Sequence, residues 1–496
     1  MLELQFEKTA WPCLVTVAAQ AKQEEQTQEV RLGDHMPDIG KVLATWGQLL
    51  LRGKEWRGSG MAVSAGVMAW ILYAPEDGTA PQLVETWIPV QTKWEFPETK
   101  HDGAIVANCR LSSLDARSVS ARKLMARAVV SVFGEAVMQD TVDVCLPAKV
   151  PEDVQLLKRM YPVNLPREAG EKAFALEEEL AIPATLQRLI HYSLHPEIVD
   201  TNVVAGKAVF RGTCRLHVLF ENTDGALTTY DQEFHFSQFA DLEGDYDADA
   251  RVRVIPAVTN LELENDEAGR LRMKAGLLGQ FVVSDRTMLE VVEDAYSNRR
   301  TVTVNREGLM LPTELDHTSM NLRMTGEEPL DGDQMIDVAF LCGHPRLRRD
   351  ETEMMLEQNG AFQLLYSDGD NLRGTVVHTQ AQTEISAGVD ARIWASVLPV
   401  GEPKAVFSGS RVNVLAETEV TAVTTSEQGI PMVTGLELGE VTKPDPDRPS
   451  MILRRSCGQT LWELAKSTGS TVEEITRTNG LQGEPEENLL LLIPVM

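Results

Sequence analysis

Cysteine is scarce and scattered. Cys13, Cys109, Cys145, Cys214, Cys342 and Cys457 form no CxxC pair, and no two are closer than 36 residues. Neither a zinc knuckle nor a disulfide-dense secreted scaffold has that spacing, so reduced thiols in a cytosol are expected. Positive charge is also short. Lys and Arg number 46 against 74 Asp and Glu, a formal charge of −28, which repels phosphate backbones and anionic lipid and makes nucleic acid and bare membrane poor partners. No apolar run nears the roughly 18 residues of a membrane span. Trp11 to Ala21 is apolar and ends in Ala19-Gln20-Ala21, but Glu3 and Glu7 precede it against a single Lys8, the wrong sign for a secretory leader.

Chemistry-bearing motifs are missing as well. GxxxxGK[ST], GxGxxG and GxSxG do not occur. His191 and His195 lie four apart where a helix is expected, but Tyr192-Ser-Leu194 between them lacks the Glu of a zincin, so a polar helix face is preferred to a metal pair. Asp245, Asp247 and Asp249 alternate as in a calcium loop, yet Ala250 and Pro256 stand where an EF-hand needs Gly and Glu. No catalytic residue, cofactor or metal site is assigned, and a non-enzyme is expected.

What the chain does have is repetition. At 496 residues it needs several cores. Three strings end alike: Trp70-Ile-Leu-Tyr73 leading to Asp77-Gly78, His217-Val-Leu-Phe220 leading to Asp224-Gly225, and Gln363-Leu-Leu-Tyr366 leading to Asp368-Gly369. Their aromatic positions are 147 and 146 residues apart. An apolar-aromatic strand running into Asp-Gly signals a β-hairpin, and alternation from Val63 to Tyr73, Lys207 to Phe220, Glu353 to Tyr366 and Ser410 to Thr418 agrees. Helical spacing is limited to Asp38 to Leu50 and Pro183 to Leu194. The expected fold is mainly β, with three repeated sandwich- or barrel-like domains at 1–150, 151–298 and 299–440 and few helices.

Residues 441–450 carry three prolines and read as a stiff tether. Residues 451–496 read as strand, helix, helix, strand. Thr460 with Glu463 forms a capping box for a helix stopping at Gly469, Thr471 with Glu474 opens a second ending at Asn479-Gly480, and Leu489 to Ile493 is an apolar strand.

This tail, with Gly458-Gln459-Thr460-Leu461-Trp462, Thr471 to Ile475, Asn479 and Leu491-Leu-Ile493-Pro494, resembles the LysM domain. Gln459 replaces the family's Asp, and the loop Gly483 to Glu487 is acidic, which weighs against the family's usual glycan binding. With Met36-Pro-Asp-Ile39, Arg52-Gly-Lys-Glu-Trp56 and Val154-Gln-Leu-Leu-Lys158 added, the chain resembles the SPOCS-domain proteins of endospore formers. That resemblance implies an adaptor in spore-coat morphogenesis, working in the mother-cell cytosol at the forespore surface. Its implied partner is the coat-basement ATPase, stage IV sporulation protein A. The alternative is a cell-wall glycan binder of LysM type.

Candidate contact residues follow from both readings. In the LysM pattern that the tail resembles, Leu491 and Ile493 face the two helices, so alternation sends Leu490 and Leu492 to the opposite face as a candidate partner surface, with Trp462 as aromatic anchor and Arg454 and Arg455 as charged rim. Arg52, Lys54, Arg57, Arg117, Arg122, Lys123 and Arg127 make the first repeat locally basic. Solvated strand faces paired with acids are the plainer account of these, and a docking face for an acidic partner or another copy of the chain the sharper one. Trp46 and Trp56 are read as core residues before interface anchors.

Overall fold

Alternation is the dominant local signal. In Gln82–Glu95, Ile88, Val90, Thr92 and Trp94 are buried while Trp87, Pro89, Gln91, Lys93 and Glu95 between and beside them face water. A strand half-buried in this way needs a neighbouring strand for its backbone and a core beneath it. The computed structural model describes residues 2–99, 101–146, 149–182, 186–265, 270–350, 353–386, 392–442 and 448–495. Among them the chain is mainly β, arranged as several small sheets with two short helices.

A short strand, β1 (Leu2–Gln5), opens the chain. A first block follows with β2 (Glu7–Arg31), β3 (Ile39–Trp56), β4 (Gly60–Pro75), β5 (Gln82–Glu95), β6 (Ala104–Ser120) and β7 (Lys123–Leu146). The middle three strands form an antiparallel meander, β3-β4-β5, while the first and last pair as β2-β7-β6. The second block uses the same order. In it, β8 (Val154–Glu179), β9 (Leu186–Val204), β10 (Lys207–Asn222), β11 (Leu227–Asp241), β12 (Arg251–Asn265) and β13 (Leu271–Ser297) make the sheets β9-β10-β11 and β8-β13-β12.

A third block has β14 (Val302–Pro329), β15 (Gln334–Cys342), β16 (Arg346–Asp350), β17 (Glu353–Asp368), β18 (Asn371–Ile385), β19 (Arg392–Phe407) and β20 (Arg411–Leu438). Here β15 and β16 share one edge of β17, as if one strand were interrupted at Gly343-His344-Pro345. In every block the two sheets face each other across a core, for example Val67 and Ile71 against Leu124 and Val130 in the first. Gly78, Gly225 and Gly369 sit at positive φ in the hairpins after β4, β10 and β17, the conformation that those Asp-Gly pairs supply.

The middle strands are apolar on both faces. Ile71 and Tyr73 point into the first block's own core, whereas Trp70 and Leu72 join Leu43, Trp46, Ile190, Leu219 and Leu365 in a cluster drawn from all three blocks. This double burial explains the near-continuous apolar runs at Trp70 to Tyr73 and Val218 to Phe220. Each large aliphatic side chain fully buried there contributes about 1.5–3 kcal/mol. Close packing reaches the backbone too: a Cβ on Gly374 of β18 would collide with the Leu43 carbonyl oxygen of β3. A second shared core lies where the long strands outrun their sandwiches. It gathers Val144, Val163, Leu289, Leu309, Ile430 and Leu436 from the three blocks, together with Phe6.

Two expectations need correction. Asp38 to Leu50 and Pro183 to Leu194 are not helical: Ile39–Trp56 and Leu186–Val204 are strands, and 183–185 lie outside the described residues. Both strands carry bulges, between Val42 and Ala44 and around Ile190, and each bulge shifts the phase of alternation by one residue. Apolar residues on two faces with a phase slip produce three-to-four spacing without a helix. The opening strand lies outside the first block's own sheets: β1 pairs antiparallel with the end of β20, Leu2 opposite Leu438, and Phe6 N–H donates to the Thr434 carbonyl at 3.0 Å.

Because the blocks share two cores, Phe6→Ala should act on all of them. Phe6 is 4 % exposed, and its truncation should destabilise the chain by about 3 kcal/mol. Calorimetry should show one unfolding transition moving as a whole; separate transitions of which only one moves would mean that the blocks unfold independently.

Candidate functional site

The register of the meanders places three residues at one position. Ala44 pairs with Leu72, His191 with Leu219 and Asp337 with Leu365, so 44, 191 and 337 are separated by the same 147 and 146 residues as the aromatic landmarks. These strands converge, and the polar pair meets there. His191 and Asp337 are 2 % exposed each.

Asp337 cannot lie there alone, since an unpaired buried carboxylate costs several kcal/mol. Its Oδ2 accepts from Trp46 Nε1–H at 2.6 Å and lies 3.3 Å from His191 Nε2. Its Oδ1 accepts from His217 Nε2–H at 2.9 Å, and His217 Nδ1–H donates in turn to Asp231 at 2.6 Å. Trp46 stacks on the His191 ring with centroids 4.5 Å apart, fixing its plane. One carboxylate from the third block is thus held by an indole from the first and two imidazoles from the second.

Burial alone would push the His217 imidazole down, but its bonds to Asp231 and Asp337 and their charges outweigh it and raise it to about 10. Burial would likewise raise Asp337; the two histidines override it and hold the carboxyl well below its usual range. His191 is lowered, chiefly by burial. At neutral pH this is a fixed imidazolium–carboxylate pair, with neither group poised near 7 as general acid–base work prefers.

The cluster lines a cavity of about 1950 Å³ walled by all three blocks. Farther along it, Arg110 donates to Ser396 Oγ at 3.0 Å, and His195 and His344 are held down at about 4 and about 3, mainly by burial. The walls are tied across blocks. Gln280 of β13 both accepts from the Ala107 amide and donates to its carbonyl, at 2.9 and 2.8 Å, Lys54 meets Glu171 at 2.7 Å, and Gln363 donates to the Leu114 carbonyl at 2.7 Å.

Among the described residues, His191, His217 and Asp337 form the one His/Cys/Asp/Glu group with ligand atoms close enough for an ion, all within 4.8 Å of one another. His191 and His195 do not share a metal as neighbours on a helix, because four residues along a strand separate them by about 13 Å. Asp245, Asp247 and Asp249 lie in the loop between β11 and β12, where Glu168 accepts from the Glu243 and Gly244 amides.

The basic residues of the first block are largely answered by acids: Arg57 by Glu55, Arg122 by Asp38, Lys123 by Glu29 and Arg127 by Glu25. Arg52 lies over the Trp87 ring at 4.8 Å, and Arg117 is exposed. Trp56 packs against Phe96.

The C-terminal segment runs β21 (Met451–Arg455), α1 (Leu461–Thr468), α2 (Val472–Asn479) and β22 (Leu490–Pro494). Thr460 and Glu463 make the reciprocal capping box, and Gly469 and Gly480 close the helices at positive φ. The Asn479 side chain pins the last strand, donating to the Leu492 carbonyl and accepting from its amide, both at 2.8 Å. Leu491 and Ile493 are buried. Leu490 is 50 % and Leu492 38 % exposed, and Leu453, 64 % exposed, pairs with Leu492 across the ribbon.

Trp462 has a partner within the chain. Its Nε1–H donates to Asp294 of β13 at 2.9 Å, beside Lys466 at 2.6 Å, and its ring meets Tyr296 edge-on. Burial would raise Asp294, but those two donors hold it below the usual carboxylate range. Arg454 reaches Ser467 and Gln459, and Arg455 the Asn488 carbonyl.

Asp337→Asn should cost about 3–5 kcal/mol, because it leaves the His217 imidazolium without its buried counter-charge. The pair should also show in the pH profile of chelator-treated protein. Folded His217 keeps its proton to about pH 10, whereas the unfolded side chain releases it near 6.5, so the stability it contributes is complete below 6.5 and drains away as pH rises toward 10. His217→Gln should flatten that limb of the melting-temperature profile; an unchanged slope would remove His217 as its source.

No curated protein and no solved structure matches the chain. No helix among the described residues is long and apolar enough to cross a membrane. The family model described as SipL, SPOCS domain, matches residues 186–264, which run from the start of β9 into β12 of the second block and carry both His191 and His217, making this stretch similar to a sporulation-related domain.

Proposed function

We propose that the chain is a non-enzymatic adaptor of spore-envelope assembly, built from three SPOCS-like units followed by a LysM-type module. The observation that carries this reading is the SPOCS match over 186–264, on a strand order that recurs in the first and third blocks. The axial residues support a structural rather than catalytic role, since at neutral pH His217 keeps its proton and Asp337 stays ionised. In this reading the body is a rigid platform in the mother-cell cytosol at the forespore surface, and the C-terminal module presents a contact for the coat-basement ATPase, stage IV sporulation protein A. A lone ribbon face with Leu453, Leu490 and Leu492 in water fits a protein partner. The acidic loop Gly483 to Glu487 is a poorer match to glycan.

Leu490→Glu with Leu492→Glu tests the contact. The double variant should lose capture of the purified ATPase by at least about 100-fold, the effect of removing two central anchors, while keeping helical circular dichroism and melting temperature. A folded variant that still binds would eliminate this face, and binding of the wild type to peptidoglycan but not to the ATPase would favour a glycan reader.

A further inference from the structure

We propose that His191, His217 and Asp337 form a binding site for a single zinc-class divalent cation that clasps the second and third blocks together.

The donor set is that of a three-ligand site: two imidazole Nε2 atoms and one carboxylate oxygen, a combination suited to Zn²⁺. Bonds of about 2.0–2.1 Å in a tetrahedron place neighbouring donors about 3.3 Å apart. Asp337 Oδ2 lies 3.3 Å from His191 Nε2 and its Oδ1 2.9 Å from His217 Nε2, and one ligand atom from each of the three falls within 4.8 Å of the others, so a small shift suffices. The supporting contacts are those that orient metal ligands. His217 donates its other ring nitrogen to Asp231 at 2.6 Å, Trp46 holds the Asp337 carboxylate at 2.6 Å, and the Trp46 ring sets the plane of His191. His191 Nδ1 has no hydrogen-bond partner among the described residues, so the ring can carry its proton there and turn the Nε2 lone pair toward a cation that comes between it and Asp337.

Charge points the same way. Two carboxylates, Asp231 and Asp337, face the two imidazoles at a site where Asp337 and His191 are almost wholly removed from water. A dication bound by two neutral imidazoles balances those two carboxylates, any proton on the ligand nitrogens leaving to solvent. The cavity supplies both an entry path and a fourth position for water, since all three ligands line it.

The test uses full-length protein stripped with chelator and titrated with Zn²⁺ by calorimetry and with Co²⁺ by visible absorption. One equivalent of Zn²⁺ should bind and raise the melting temperature, and Co²⁺ should give the intense d–d bands of a tetrahedral site. His217→Gln and Asp337→Asn should abolish both signals, whereas His235→Gln, on an exposed strand face, should leave them intact. Should the buried variants fail to fold, Asp231→Asn at the cavity edge should still weaken Zn²⁺ about 10- to 100-fold. A wild-type chain that takes up no stoichiometric Zn²⁺, or an Asp231→Asn chain that binds as tightly as wild type, overturns the proposal.

Discussion

A carboxylate buried at the meeting point of three sheets has to be answered by donors from the other two, and Asp337 is answered by Trp46, His191 and His217. The geometry of the body follows from that requirement and from the apolar residues around it. Trp70, Leu219 and Leu365 are on the outward faces of their own sandwiches and become buried only when the blocks converge. A block taken alone would expose an aromatic and aliphatic face and, in the third, an ionised carboxylate with no partner. The polar cluster sets the register of convergence, and the apolar shell provides most of the free energy.

The sequence displayed the class of the fold clearly and its axis hardly at all. Strand content was legible because Lys207 to Phe220 alternates with few interruptions and because Asp-Gly marks the hairpin after β10. The helix caps of the tail were legible for the same local reason, since Thr460 and Glu463 act across three residues. β3 and β9 were hidden by their bulges, which shift the period that betrays a strand. The axial cluster was hidden by distance in sequence: His191 and Asp337 are 146 residues apart and meet only through tertiary structure. A signal did exist. Laid over one another at the landmark spacing, the copies place Ala44, His191 and Asp337 in one column, and a column that changes from alanine to histidine to aspartate is not conserving a core.

The C-terminal segment is tied to the body by contacts on both sides of its proline-rich stretch. Residues 443–447 lie outside the described structure, but Thr442 bonds back to the Arg299 carbonyl, and Arg448 donates to the Thr468 carbonyl at 2.9 Å. Asp294 gathers Arg306, Lys466 and Trp462 around one carboxylate, and Tyr296 O–H donates to the Ser470 carbonyl at 2.9 Å. The small module therefore rests on the second block with its leucine face turned outward, and the tryptophan that sequence reasoning offered to a partner is engaged at home.

The pairing of β1 with β20 has a consequence for biosynthesis. Leu2 to Phe6 leave the ribosome ahead of the rest of this body, yet their neighbours from Ile430 to Leu438 are among the last residues of the body to be made. Over the intervening four hundred or so residues the opening segment has no native edge to occupy, and the body cannot close as a ring until its third block has emerged. Completion of this fold thus waits for the synthesis of the strand that closes the seam, however early the other blocks have formed.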